Sequence, residues 1–152
     1  VTRRRDDRGS ALIEFSWLAI ILLVPIIWIV MSVFEVQRGA FAASAAARAA
    51  GRAYALAPDD ATGDARARAA VRQVLADQGS PGQVAQVRIT CDAPAGSCHV
   101  GTSVITVRVD SGVDLPFFPT ILGRGSASFG LDATHVVPIG QYVESAPGAQ
   151  ER

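Results

Sequence analysis

Residues 15–34, "FSWLAIILLVPIIWIVMSVF", are twenty consecutive positions without a charge. At about 1.5 Å per residue, a helix of that length covers roughly 30 Å, the hydrocarbon thickness of a bilayer. Its apolar residues run all round the helical wheel. A surface helix of a water-soluble domain keeps them to one stripe. The alternative is a central core helix, but the rest of this 152-residue chain is too small to enclose one. The run therefore predicts a transmembrane helix. Pro25 removes a backbone donor in mid-run, so a kink is expected there. Trp17 suits an interfacial anchor, whereas Trp28 lies deep in the run and suits packing. A cleavable secretory signal would have a shorter apolar region, about 7–15 residues. The small residues of "AFAASAAARAA" that follow are then chance matches to such a cleavage site.

The flanks set the orientation. Arg3, Arg4, Arg5 and Arg8 crowd the N-terminal side, while Arg38, Arg48 and Arg52 are spread along the C-terminal side. The tighter basic cluster favours a cytoplasmic N-terminus and an extracytoplasmic C-terminal domain, a single pass through the cell membrane. Cys91 and Cys98, an even and close pair, favour the same orientation because disulfides persist outside the cytoplasm. Fourteen basic residues, all Arg, balance fourteen acidic ones to a formal net charge of zero. That balance argues against a nucleic-acid binder held by phosphate electrostatics.

Helical pattern continues past the greasy run. "EVQRGAFAASAAARAAGRAYALA" is dominated by Ala, the best helix former, and only Gly39 and Gly51 weaken it. One helix from near Ser10 to near Leu56, roughly 70 Å long, is expected, ended by Pro58-Asp59-Asp60. Ala42, Ala43, Ala46, Ala49 and Ala50 recur at spacings of three and four. They either give a flat surface for close approach of another helix, or reflect composition and helix propensity alone. A second helix is expected over residues 64–78, with Gly79 as its stop and Ala67, Val71, Val74 and Leu75 as its apolar face. Asp64 and Arg68 are spaced for an i, i+4 pair. After "GSPG" the period changes to alternation, and residues 84–90, 103–110, 112–118 and 126–137 read as strands. The expectation is an α+β chain: a long membrane-spanning helix continuing outward, a short second helix and a small antiparallel sheet of about four strands. It divides into a charged leader (1–9), the spanning helix with its Ala-rich extension (10–57), an extracytoplasmic domain (58–143) and a polar tail (144–152).

Few residues suggest chemistry. A Cys91–Cys98 bridge would clip the loop "CDAPAGSC" and shrink the unfolded ensemble, by roughly 2–3 kcal/mol in the loop-entropy model. A metal site is the sharper alternative, but only Asp92 and His99 are near, short of a closed four-ligand set. Ser97 is close to His99 in sequence, yet adjacency does not make a triad. His135 falls in an alternating strand and reads as a half-exposed structural histidine. No nucleophile elbow, metalloprotease motif or phosphate loop is present, so no enzyme, cofactor, metal or small-molecule substrate is expected. "LPFFPTIL", residues 115–122, reads as a cap on a small core, with a subunit contact or a membrane-touching loop as alternatives.

One motif is more specific. Basic residues end in Gly9, Ser10-Ala11-Leu12-Ile13 follow, and then Glu14-Phe15 open the apolar helix. A carboxylate at a membrane edge costs free energy unless it is paired, protonated or held among headgroups. The arrangement resembles the prepilin peptidase site of type IV pilin-like proteins. The whole chain, with "RGSALIEF", the extension "QRGAFAASAAARAAGRAYALAPD" and a β-rich end, is similar to TadE-like pilus-assembly proteins of Flp-type tight-adherence systems. The resemblance implies cleavage between Gly9 and Ser10 on the cytoplasmic face and N-methylation of the new terminus. It implies a pairing role in subunit assembly for Glu14, beside Phe15. The implied partners are a prepilin peptidase, other pilin-like subunits, the assembly machinery of the inner membrane and the lipid bilayer. Major Flp pilins are very short after processing. A chain with this outer domain is more like a minor pilin or assembly factor. An uncleaved single-pass anchor displaying a small binding domain is the alternative.

Overall fold

The computed structural model describes residues 8–79, 85–93, 97–114 and 128–142. It contains a long helix α1 (Arg8–Ala55), a second helix α2 (Asp60–Asp77), and strands β1 (Gln86–Asp92), β2 (Val104–Asp114) and β3 (Ser128–Pro138). The architecture is α+β. The strands form one antiparallel sheet in the order β1-β2-β3.

α1 is a single helix of 48 residues that continues through Pro25. Within the apolar run its two serine hydroxyls turn inward on the helix. Ser16 donates to the Leu12 carbonyl at 2.8 Å and Ser32 to the Trp28 carbonyl at 2.9 Å. Each hydroxyl proton is thus satisfied without water, as an apolar solvent demands. The most apolar stretch of α1 has a mean hydropathy of 2.7, and none of it is buried. By length and composition this helix is suited to cross a membrane.

The outer half of α1 behaves differently. Ala42, Ala43, Ala46, Ala47, Ala50 and Tyr54 are buried, and most of them join Ala67, Val71 and Leu75 of α2 and Val87, Ile105, Val107 and Val109 of the sheet in one core. The small-residue surface is therefore occupied within the chain. α2 and the sheet cover it, and Ala49 lies at its margin. Methyl-sized side chains let backbones approach closely, and β2 supplies the volume that Ala lacks through fully buried Ile105, Val107 and Val109. Burying each such branched side chain contributes roughly 1.5–3 kcal/mol.

The glycines of α1 have a packing cause. At Gly39 an added Cβ would lie 2.7 Å from Leu131 Cδ1 and closer still to Val113 Cγ2. At Gly51 it would lie 2.7 Å from Val137 Cγ2 and 3.3 Å from the His135 ring. Sheet side chains rest on bare helix backbone at these two points. In a stretch where Ala is the default, a Gly that weakens the helix by about 1 kcal/mol signals such an approach.

Two expectations need correction. The separate strand at residues 112–118 does not exist as such. Ser111 and Gly112 pair with Leu131 and Gly130, so Gly112, Val113 and Asp114 prolong β2, and the described sheet has three strands rather than about four. A glycine read as a break is held in register by pairing on β3. Residues 115–118, and the whole of "LPFFPTIL", lie outside the described residues. α2 also begins four residues earlier than expected. Asp59 caps it, accepting from Thr62 N–H at 2.8 Å and from the Thr62 hydroxyl at 2.9 Å. The aspartates that end one helix thus start the next. At the other end Gly79 takes φ +83°, the left-handed conformation of a helix stop, as expected. Arg38 of α1 donates to the Gln78 carbonyl at 2.6 Å, placing a cation on the negative end of α2.

Candidate functional site

The residues singled out by the sequence fall in two places. Gly9 and Ser10 lie in the first turn of α1, and Glu14 and Phe15 follow one turn on. Glu14 is exposed and Phe15 is 70% exposed, as are the bulky residues that follow them. Ser10 and Glu14 are four residues apart on one helix face, separated along the axis by about 6 Å. The buried core of the outer domain begins on the same helix at Ala42, about seven turns further on.

The second place is where the end of α1, the start of α2 and the β1–β2 connection meet. Cys91 and Cys98 form a disulfide, with Cα atoms 5.6 Å apart. The pairing takes both thiols away from the metal alternative, and among the described residues no group of three or more His, Cys, Asp or Glu is placed to hold an ion. Beside the disulfide, Asp60 gathers three donors. Cys98 N–H reaches its carboxylate at 3.1–3.2 Å, the Tyr54 hydroxyl at 3.2 Å and His99 Nδ1 at 2.6 Å. The other ring nitrogen, His99 Nε2, lies 2.9 Å from the Tyr54 carbonyl oxygen. The Tyr54 and His99 rings stack with centroids 5.1 Å apart, and Gly63 of α2 leaves room for both. Ser103 Oγ donates to the Cys98 carbonyl at 2.5 Å and completes the tie to β2.

The electrostatics follow from this geometry. Burial pushes the Asp60 carboxyl upward, but the bonds from His99, Cys98 N–H and Tyr54 outweigh it and hold it below the ordinary carboxylate value. Burial first, and then the Asp60 charge, push the Tyr54 phenol up to about 12. Asp59, bonded twice by Thr62, is also held low. Both His99 ring nitrogens face oxygens of the chain itself, the Asp60 carboxylate and the Tyr54 carbonyl, so the ring is held within the fold. The cluster fastens three chain segments together.

His135, the other histidine, is half-buried on β3 against Gly51, consistent with a structural role. The expected Asp64–Arg68 pair is present and bidentate, at 2.7 and 3.0 Å, on the exposed side of α2. Sequence reasoning missed Asp60 and Tyr54. Their signal was faint: Asp60 stood in a helix-terminating triplet, and Tyr54 was one aromatic in an Ala run. The chain matches no protein-family model, curated protein or solved structure.

Proposed function

We propose that the chain is a minor pilin-like, TadE-like assembly protein of a tight-adherence secretion system, inserted with its N-terminus in the cytoplasm and its outer domain on the far side of the cell membrane. A prepilin peptidase cuts it between Gly9 and Ser10, and it then acts by packing against other subunits, without catalysis or cofactor. The observation that carries this reading is the continuity of α1. One helix leads from Arg8, past Glu14 and through a largely exposed apolar stretch, into the core of the outer domain. A rigid rod shared in this way moves the domain and the membrane segment as one body, which suits a subunit inserted laterally among others.

In this reading Glu14 has a defined task. An ionised carboxylate in an apolar surround is costly unless paired. Cleavage before Ser10 creates an amine one turn away in the same chain, and an equivalent amine on each neighbour. Pairing Glu14 with a neighbour's amine offsets the cost and fixes the axial register.

The test is the intact mass of the chain from cells that contain a prepilin peptidase. A chain beginning at Ser10 is expected, and Gly9→Leu should block the cut while leaving insertion intact. Retention of Arg3–Arg8 in those cells would make the protein a single-pass anchor instead. Glu14→Val should insert at least as well as the parent but assemble poorly. Normal assembly of that variant removes the pairing role.

A further inference from the structure

β3 runs in the same direction as α1, because Leu131 meets Gly39 and Val137 meets Gly51. The six strand residues between those contacts rise roughly 20 Å, and the twelve helical residues roughly 18 Å. The two rises agree, so β3 follows the axis of α1 and helix numbering serves as a ruler along it. Phe129 lies two residues before Leu131, about 7 Å closer to the N-terminal half of α1. That places it level with Glu35, immediately past the uncharged run at residues 15–34. Its β2 partner Val113 reaches Gly39, so this rung of the sheet spans the turn of α1 between Glu35 and Gly39, and the final pair, Asp114 with Ser128, follows it toward the same end. α2 returns antiparallel to α1 and ends at this height too, where Arg38 holds Gln78.

Phe129 has the alternation parity of Leu131, Ala133, His135 and Val137, the residues that turn toward α1, yet it is 50% exposed. Asp114 has the opposite parity and faces away from α1, with Arg108 and Asp110.

We propose that this end of the domain rests on the lipid surface, with Phe129 seated in the headgroup layer. This inference relies on residues 15–34 crossing a bilayer, as in the function proposed above. The occupant follows from continuity: a bilayer crossed by that run has its boundary at the level of Phe34 and Glu35, where Phe129 stands. Headgroups occupy a further layer of about 5–7 Å on each side of the hydrocarbon, and aromatic rings concentrate there. Arg38, Glu35 and Asp114 give this end both signs of charge, so contact depends on apolar burial rather than on anionic lipid.

The experiment uses the full, disulfide-bonded chain in phosphatidylcholine nanodiscs that contain a lipid with a quencher on its headgroup. A fluorophore is attached through Phe129→Cys. Ser128→Cys repeats the measurement with Phe129 in place, Gln141→Cys reports the distal end of the domain, and Leu22→Cys reports the middle of the run. A hydrocarbon-depth quencher is used for the last. The labels at 128 and 129 should be quenched several-fold more than the label at 141, equally at low and high salt. If 128 and 129 are quenched no more than 141 while 22 is quenched by the hydrocarbon probe, the docking is wrong and the membrane helix stands. If 22 also escapes quenching, the membrane helix fails and the docking fails with it. Labels shielded from both lipid and aqueous quenchers would show a protein surface over Phe129, and would overturn the assignment to lipid.

Discussion

The two halves of α1 share one backbone and solve opposite problems. Between residues 11 and 34 the side chains are large and nearly all exposed, including Leu12, Phe15, Ile21 and Phe34 at 61% or more. Between residues 42 and 54 they are mostly Ala, and those that face α2 and the sheet are buried to within a few per cent. Hydrophobicity alone does not separate the halves; side-chain size does. A helix that meets lipid needs bulk to fill a fluid solvent, whereas one that meets another backbone at close range needs methyl groups or nothing. Gly39 and Gly51 are the extreme of the second rule, since Val113, Leu131, His135 and Val137 occupy the space their side chains would take.

Substitutions in the two halves sharpen this contrast. The largest loss is expected where the sheet fills the volume left by the alanines. Ile105→Ala should destabilise the outer domain by roughly 2–5 kcal/mol. Chemical denaturation of the detergent-solubilised chain, followed by the circular dichroism of the sheet, measures this. Next, Ala46→Leu overfills a site that is fully buried and should cost about 1–3 kcal/mol. Leu22→Ala, in the exposed half, should leave the same unfolding transition unchanged to within about 0.5 kcal/mol. Equal effects of these two substitutions would break the distinction between the halves.

The Asp60 tie ranks third. Asp60→Asn keeps the shape but removes the charge that His99, Cys98 N–H and Tyr54 point toward, and should cost about 1–2 kcal/mol at neutral pH. The sign of the pH dependence follows from the lowered Asp60 value. Its contribution is complete above the ordinary carboxylate value of 3.8, and is lost as pH falls through the lower folded value. Tyr54 works at the other extreme: its raised value means that stability falls as pH climbs from 10 toward about 12. The difference between parent and Asp60→Asn should therefore shrink in strong acid, as measured by denaturation at a series of pH values. The smallest effect is assigned to Arg68→Ala. Its exposed pair with Asp64 is worth a few tenths of a kcal/mol, which added salt should remove.

Much of this fold was legible in the sequence, because the signals were local. The uncharged run, the Ala extension, Gly79 as a helix stop, the disulfide and the alternating strands each declare themselves within a few residues. The start of α2 was misplaced because Asp59 was weighed as the end of one helix and not as the cap of the next. The extra strand was counted because Gly112 resembles a break until its partner Gly130 is known. The tie at His99 was illegible for a different reason: His99 and Asp60 are thirty-nine residues apart, and nothing near either one announces the other.

Sequence alone determined that this chain has a helix suited to a bilayer, a charged N-terminal run ending at Gly9 with an acid at Glu14, and a small domain of helix and antiparallel strands beyond it. These follow from periodicity, composition and spacing, which act over one or two turns. Only the tertiary structure decided that the alanines of α1 face its own sheet and second helix, that the glycines mark where that sheet touches, and that β3 follows α1 from Gly39 to Gly51. Such features depend on distant segments meeting. Their free energy lies in side chains closing on one another, and local propensity carries no record of which ones will meet.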